Sequence, residues 1–155
     1  MALHDASQRS YGRRLVALQF AAIAVLAWQA TLALAQGGPP LGAALCAFAG
    51  VALGTWALSA NRPGNFNIRP EPREGGRLIE QGPYRWIRHP MYSALLLAGL
   101  AAAWIAGTAT AWGALAAMAV VLVVKAGVEE AAMAQAHAGY DAYRQRTRRF
   151  VPGLY

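Results

Sequence analysis

Three long stretches of the chain contain no charged residue: residues 15–35, 41–60 and 91–124. An apolar run of about 20 residues crosses the hydrocarbon core of a bilayer as a helix, and in lipid a helix satisfies its own backbone hydrogen bonds. The third stretch has 34 residues, and as one straight helix it would extend about 51 Å, whereas the core is about 30 Å thick. We therefore predict a turn at residues 107–110, between two short helices over residues 91–106 and 110–124.

The composition agrees with a membrane protein and excludes several other classes. Hydrophobic residues make up 57% of the chain and charged residues 14%, whereas an ordinary soluble domain has about 25% charged residues. Intrinsic disorder needs the opposite balance. A single cysteine, Cys46, excludes a disulfide framework and fits an apolar packing role. With three histidines in the whole chain, we predict no metal site.

The fold class that follows is all-α. We predict an integral-membrane helical bundle of about four transmembrane helices, in which the third and fourth form a tight hairpin, with a cytoplasmic C-terminal helix. Residues 1–155 would form one membrane domain, in which residues 15–35 and 41–60 are generic spans. Gln19, Gln29 and Thr31 interrupt the first span, and we expect them to face other helices.

The first apolar run allows a second interpretation. A pair of arginines precedes it and an Ala-Leu-Ala tripeptide ends it, which imitates a secretory signal peptide with its cleavage site. The apolar core of a signal peptide has about 7–15 residues. Because this run is longer, we favour a membrane span.

The positive charges occupy three regions of the chain. The formal net charge is +7, and every lysine and arginine lies before residue 15, within residues 61–90 or after residue 124. Four crossings would place all of them on one side, which the positive-inside rule makes cytoplasmic, together with both termini. Nucleic-acid binding is disfavoured because no recognition motif accompanies the charge. The abundance of arginine and alanine indicates a GC-rich genome, so we expect a bacterial cytoplasmic membrane.

Residues 82–92, with the sequence GPYRWIRHPMY, form a polar and aromatic cluster at the entry to the third apolar run. Pro90 suits the first turn of a helix. This places His89 at the helix N-terminus, where the positive end of the helix dipole favours a neutral imidazole. A neutral imidazole both donates and accepts hydrogen bonds. The alternative is an interfacial anchor, since arginine, tyrosine and tryptophan are common at membrane surfaces.

Glu129 and Glu130 form a second cluster shortly after the third apolar run. Two carboxylates at a membrane edge are costly unless a cationic ligand or an arginine pairs with them. The alternative is a favourable pair of acids in the first turn of a new helix. We predict such a helix over residues 126–145, broken or bent near Gly139. A third group of candidate residues follows: Tyr140, Tyr143, Arg148, Arg149 and Phe150. The alternative for this group is that residues 146–155 are a basic and aromatic tail at a membrane surface.

The sequence contains no nucleophile-and-base motif, phosphate-binding loop or dinucleotide fingerprint. A reaction that only needs two substrates held in line fits such a sparse set of groups. Methyl transfer from a sulfonium is a reaction of this kind, because it needs a site for a cation, a dry pocket and little acid–base chemistry.

The motif GPYRWIRHPMY, the glutamate pair about 40 residues later, and the closing GYDAY and RRFVPGLY together resemble the isoprenylcysteine carboxyl methyltransferase and phospholipid methyltransferase superfamily. The resemblance covers residues 77–155, with Ala94 at a position where the family often has glycine. It implies S-adenosyl-L-methionine as cofactor and a lipophilic small molecule or lipid as acceptor, methylated at O, N or S. The cofactor-binding residues it implies are Tyr84, His89, Pro90, Tyr92, Glu129 and Glu130, and the catalytic residues are Arg88, His89 and Tyr143.

Two other functions remain open from the sequence. Membrane reductases of the sterol-reductase type are similar in their C-terminal half and use NADPH, but they tend to be longer and to have more spans. A small non-enzymatic membrane scaffold is the other alternative, and the intact histidine motif and glutamate pair argue against it.

Overall fold

All regular structure is helical in a computed structural model of the chain, which describes residues 2–61 and 78–154. The α-helices are α1 (Ala2–Leu34), α2 (Leu41–Ala60), α3 (Pro90–Ala106), α4 (Ala109–Ala136) and α5 (Tyr140–Arg146), and a short 3₁₀ helix, Gly82–Arg85, precedes α3. The one extended pairing within the described ranges is an isolated parallel bridge between Ile87 and Arg148. The prediction of an all-α fold is confirmed for the described residues, whereas much of the irregular loop predicted over residues 61–90 lies outside them.

Three helical segments are long and apolar enough to cross a membrane: Ser10–Leu34, Leu41–Ala60 and Ala109–Ala136. The first two agree with the spans predicted from the sequence. Helix α3 is also apolar but shorter, with 17 residues. Large apolar side chains such as Leu41 and Phe48 are exposed along α2, a surface that suits lipid better than water.

The third apolar run is interrupted where the sequence predicts a turn. Helix α3 ends at Ala106, and Gly107 adopts a left-handed conformation with φ 64°, which glycine reaches without the steric cost that a Cβ would add. Thr108 then begins α4, because its hydroxyl accepts a hydrogen bond from the Ala111 N–H at 3.1 Å. Two residues therefore separate the helices.

The predicted end of the fourth helix at residue 124 is wrong. Helix α4 continues to Ala136, and a separate helix over residues 126–145 does not form. The sequence between Lys125 and Ala136 contains no proline and is rich in alanine, the strongest helix former. The backbone leaves the helix at His137, and α5 begins after Gly139.

Helix α3 packs against α2, α1 and α4. The approach to α2 is close at Gly50, where a Cβ would lie 3.0 Å from the Ala94 carbonyl oxygen and 3.2 Å from the Ala98 nitrogen. The small size of Gly50 thus lets α2 approach the backbone of α3 at Ala94 and Ala98.

Helix α1 joins the bundle through an apolar core and two polar contacts with α4. Leu26 of α1 belongs to the same buried cluster as Met118 of α4. The Lys125 ammonium donates to the Gln19 side-chain oxygen at 2.7 Å, and the Thr108 hydroxyl donates to the Gln29 side-chain oxygen at 3.3 Å. The expectation that these two glutamines face another helix is therefore confirmed.

The expectation is wrong for Thr31, whose hydroxyl donates to the Ala27 carbonyl of its own helix at 2.8 Å. A threonine hydroxyl can satisfy itself on the preceding turn of its helix, whereas a glutamine side chain reaches a neighbour.

Candidate functional site

The site lies where the start of α3 meets the chain after α5. Residues 86–89 run parallel to residues 148–149 through three backbone hydrogen bonds: Arg148 N–H to the Trp86 carbonyl at 2.9 Å, Arg88 N–H to the Arg148 carbonyl at 2.7 Å, and His89 N–H to the Arg149 carbonyl at 3.1 Å. This pairing fixes the C-terminal tail beside the histidine motif. It brings Arg149 to the same place as Arg88 and His89.

Glu130 of α4 lies at the centre of a charge cluster and is 4% exposed. One carboxylate oxygen, Oε1, accepts from Arg88 Nε at 3.0 Å and lies 3.1 Å from His89 Nε2. Arg149 binds both oxygens, with Nε 3.0 Å from Oε1 and Nη2 2.9 Å from Oε2. A two-point contact of this kind is among the strongest that an arginine makes. The carboxylate is thus enclosed by cationic groups of the protein itself.

Arg88 also connects α4 to the end of α5. Its Nη1 donates to the Thr147 carbonyl at 2.7 Å and to the Arg144 carbonyl at 3.2 Å. Arg144 lies in the last turn of α5 and Thr147 is the residue that follows it, so these carbonyls are among those that a helix end leaves without a partner in the helix. Arg88 therefore caps α5 while it binds Glu130.

Glu129 is the more accessible member of the acidic pair, with 21% of its side chain exposed. Its Oε1 accepts a hydrogen bond from the Tyr92 hydroxyl, and its Oε2 lies 3.4 Å from His89 Nδ1. The His89 and Tyr92 rings are stacked, with centroids 5.3 Å apart and an interplanar angle of 4°. The imidazole thus bridges the two carboxylates, one at each ring nitrogen.

The charge state expected of His89 from its place at the helix N-terminus is wrong. Burial opposes protonation, but the two contacting carboxylates outweigh burial and raise the pKa of His89 above its ordinary value of 6.5. A helix N-terminus carries only a fractional positive charge, whereas two carboxylates in direct contact carry full negative charges. The imidazole is therefore biased toward the protonated form.

The chain is similar to one known protein family. The sequence profile of the isoprenylcysteine carboxyl methyltransferase family matches residues 43–135, more than half of the chain. The chain belongs to the isoprenylcysteine carboxyl methyltransferase family. No curated protein matches the chain. The matched range includes α3 and the acidic pair. The family is one of membrane methyltransferases, and the apolar helices agree with a membrane protein.

Tyr143 and Tyr84 stabilise the site from outside the charge cluster. The resemblance to the family marks both residues as functional. The Tyr143 hydroxyl donates to the Tyr84 carbonyl at 2.8 Å and so connects α5 to the segment before α3. Burial, with a smaller contribution from Glu129, raises the pKa of Tyr84 to about 12, against a hydrogen bond from Asn61 that lowers it. Burial also raises the pKa of Tyr143. Both phenols are thus held in the neutral form.

The remaining residue that this resemblance marks, Pro90, occupies the first turn of α3 and is buried. It sets the direction in which the helix leaves His89. Five of the marked residues are in direct contact with one another or with a shared partner: Arg88, His89, Tyr92, Glu129 and Glu130.

The C-terminal tail has a larger part in the site than the sequence predicts. Arg149 is the main partner of Glu130, and the Ser93 hydroxyl donates to the Phe150 carbonyl at 2.6 Å, which holds the tail against α3. The Phe150 ring lies 5.9 Å from the His89 ring. The sequence signals were the basic and aromatic composition of residues 146–155 and the match of RRFVPGLY to the family pattern. Neither indicates which carboxylate an arginine would reach.

Proposed function

We propose that the protein is an S-adenosylmethionine-dependent methyltransferase that transfers a methyl group to an O, N or S atom of a lipophilic acceptor at the cytoplasmic face of a membrane. The observation that carries the proposal is the partly exposed carboxylate of Glu129, held beside His89 and Tyr92 within the range matched by the family. The cofactor-binding part would be residues 77–155 of a single membrane domain.

The chemistry of the acidic pair fits a cofactor with an ammonium group and ribose hydroxyls. Both Glu130 oxygens are engaged by arginines, whereas Glu129 contacts the Tyr92 phenol and the His89 imidazole and is the more exposed. A carboxylate accepts hydrogen bonds from ammonium and hydroxyl groups alike. We therefore assign ligand binding to Glu129 and assign to Glu130 the task of holding the surrounding cations in place.

The other residues of the cluster orient and enclose the site. Tyr92 fixes one oxygen of Glu129, and His89 lies between the two carboxylates. Phe150 is buried beside both aromatic rings, so an apolar group excludes water there. When bound, S-adenosylmethionine supplies a methyl group on a positively charged sulfur, and in-line transfer then depends mainly on positioning.

The position of Glu129 along α4 supports a site at the membrane interface. Glu129 lies 20 residues beyond Ala109, which is about 30 Å of helix and equals the thickness of the hydrocarbon core. Trp56 and Trp86 are exposed near the site, with their ring centroids 5.7 Å apart. At the other end of the helices, the exposed Trp104 and Trp112 flank the turn between α3 and α4. Tryptophans at two levels are typical of the two interfaces of a bilayer.

The proposed orientation follows from this placement. If α1 to α4 each cross the membrane, the arginines around the site face the cytoplasm together with both termini, as the positive-inside rule favours. The water-soluble cofactor would then enter from the cytoplasm, and the acceptor would enter sideways from the bilayer.

Calorimetric titration of the detergent-purified protein with S-adenosylmethionine, and separately with NADPH, tests the proposal. We expect S-adenosylmethionine to bind and Glu129→Gln to weaken binding by about tenfold or more, because a charge-assisted contact worth about 1.5–3 kcal/mol is lost. The matched control is Glu80→Gln. Glu80 is 43% exposed and pairs with Arg146 at 2.7 Å, and its replacement should leave affinity unchanged. Binding of NADPH alone would contradict the proposal and favour a reductase, and binding of neither ligand by the folded protein would favour a scaffold.

A further inference from the structure

Lys125 is a charged residue in the interior of the bundle. It is 1% exposed and lies in α4 one helical turn before Glu129. An ionisable side chain within an apolar span is costly and usually has a function and a defined partner. Its Nζ donates to the Gln19 side-chain oxygen at 2.7 Å. Residues four positions apart share one face of a helix, so Lys125 lies on the side of α4 that carries Glu129.

The Lys125 ammonium also lies 5.1 Å from the centroid of the Tyr92 ring. A cation within about 6 Å of an aromatic ring is attracted to it, and more strongly where water is excluded. The same ring stacks on His89, and its hydroxyl donates to Glu129. A continuous set of contacts therefore runs from Gln19 through Lys125 and Tyr92 to Glu129.

We infer that Lys125 is a positioning residue for the ligand-binding carboxylate and that Gln19 is the contribution of α1 to this site. The inference rests on the proposed function, because it takes Glu129 as the residue that binds the cofactor. Lys125 acts through Tyr92: its ammonium fixes the ring, and the ring directs the hydroxyl to Glu129. Helix α1 lies outside the range matched by the family profile, so nothing in that match assigns it a part in the site.

The first test is a double-mutant cycle on the affinity for S-adenosylmethionine. Lys125→Met removes the ammonium and keeps an unbranched apolar side chain. We expect about tenfold weaker binding in the otherwise unchanged protein. In a Tyr92→Phe background, where the hydroxyl that reaches Glu129 is absent, the same change should weaken binding by no more than about twofold. Equal effects in both backgrounds would overturn the inference, because additivity indicates that the two residues act independently.

A second pair of variants keeps the test valid if Lys125→Met does not fold. Gln19→Met removes the side-chain oxygen that Lys125 binds, whereas Gln29→Met removes the oxygen that Thr108 binds at 3.3 Å, between the same two helices. We expect Gln19→Met to weaken S-adenosylmethionine binding several-fold and Gln29→Met to leave it unchanged. Equal weakening by both variants would indicate that α1 acts only through general packing, and would refute the role of Lys125.

The failure of this inference and the failure of the proposed function are distinguishable. If the unmodified protein does not bind S-adenosylmethionine, the proposed function fails. If the unmodified protein binds S-adenosylmethionine, and Lys125→Met and Gln19→Met bind it as tightly as the unmodified protein does, only the role of Lys125 is refuted.

Discussion

Replacing Glu130 with glutamine should lower the free energy of unfolding by more than the loss of one hydrogen bond would. The side chain is 4% exposed and contacts Arg88, His89 and Arg149. Glutamine keeps the shape but removes the negative charge, so the cationic partners remain close together without compensation. Removal of one partner from a buried ion pair costs about 3–5 kcal/mol, a large part of a typical unfolding free energy of about 5–15 kcal/mol.

Thermal unfolding in detergent measures this cost. For a chain of this size, each kcal/mol shifts the midpoint by about 2–4 °C, so we expect Glu130→Gln to lower Tm by about 6–20 °C. The matched control is Glu129→Gln, one residue away, 21% exposed and in contact with Tyr92 and His89. We expect its Tm to fall much less. If Tm decreases equally in the two variants, or does not decrease in Glu130→Gln, the distinction between a supporting Glu130 and a ligand-binding Glu129 is refuted.

Two further predictions follow from local geometry. Because the pKa of His89 is raised, its contribution to the free energy of unfolding is complete below pH 6.5 and is lost as the pH rises through the raised pKa. NMR signals of the His89 ring should therefore titrate above pH 6.5. A titration below pH 6.5 would contradict the argument. Gly50→Ala should lower Tm more than Gly54→Ala. The added Cβ at residue 50 would lie 3.0 Å from the Ala94 carbonyl oxygen, whereas at residue 54 it would lie 3.5 Å from the Ala94 Cβ, an ordinary contact. Equal Tm values for the two variants would indicate that α2 and α3 separate without cost.

The features that the sequence predicted correctly are those set by local pattern. Helix α2 has the same bounds as its uncharged run, because Pro40 and the charged region after Ala60 limit it on both sides. The interruption of the third run at Gly107 followed from helix length against bilayer thickness. The structure also brings His89 into contact with both glutamates; the resemblance assigns these residues to one cofactor site, and that assignment stays a prediction.

The errors arose where partners distant in sequence decide the outcome. Lys125 was taken as the end of an apolar run, but the Gln19 side-chain oxygen accepts a hydrogen bond from its ammonium group, and the helix continues. His89 was judged from its own helix terminus, but residues about 40 positions later in the chain set its charge. Arg149 reaches Glu130 because the tail pairs with the segment before α3, and single-sequence patterns do not indicate such a pairing.

Transfer of a labelled methyl group tests the central claim most directly. The protein would be incorporated into liposomes made from a bacterial lipid extract and supplied with S-adenosylmethionine that carries a labelled methyl group. We predict that label enters the organic-soluble fraction with the unmodified protein and with Glu80→Gln, and that Glu129→Gln strongly reduces it. Absence of label from that fraction, or equal labelling by Glu129→Gln, would contradict a methyltransferase that binds its cofactor at Glu129.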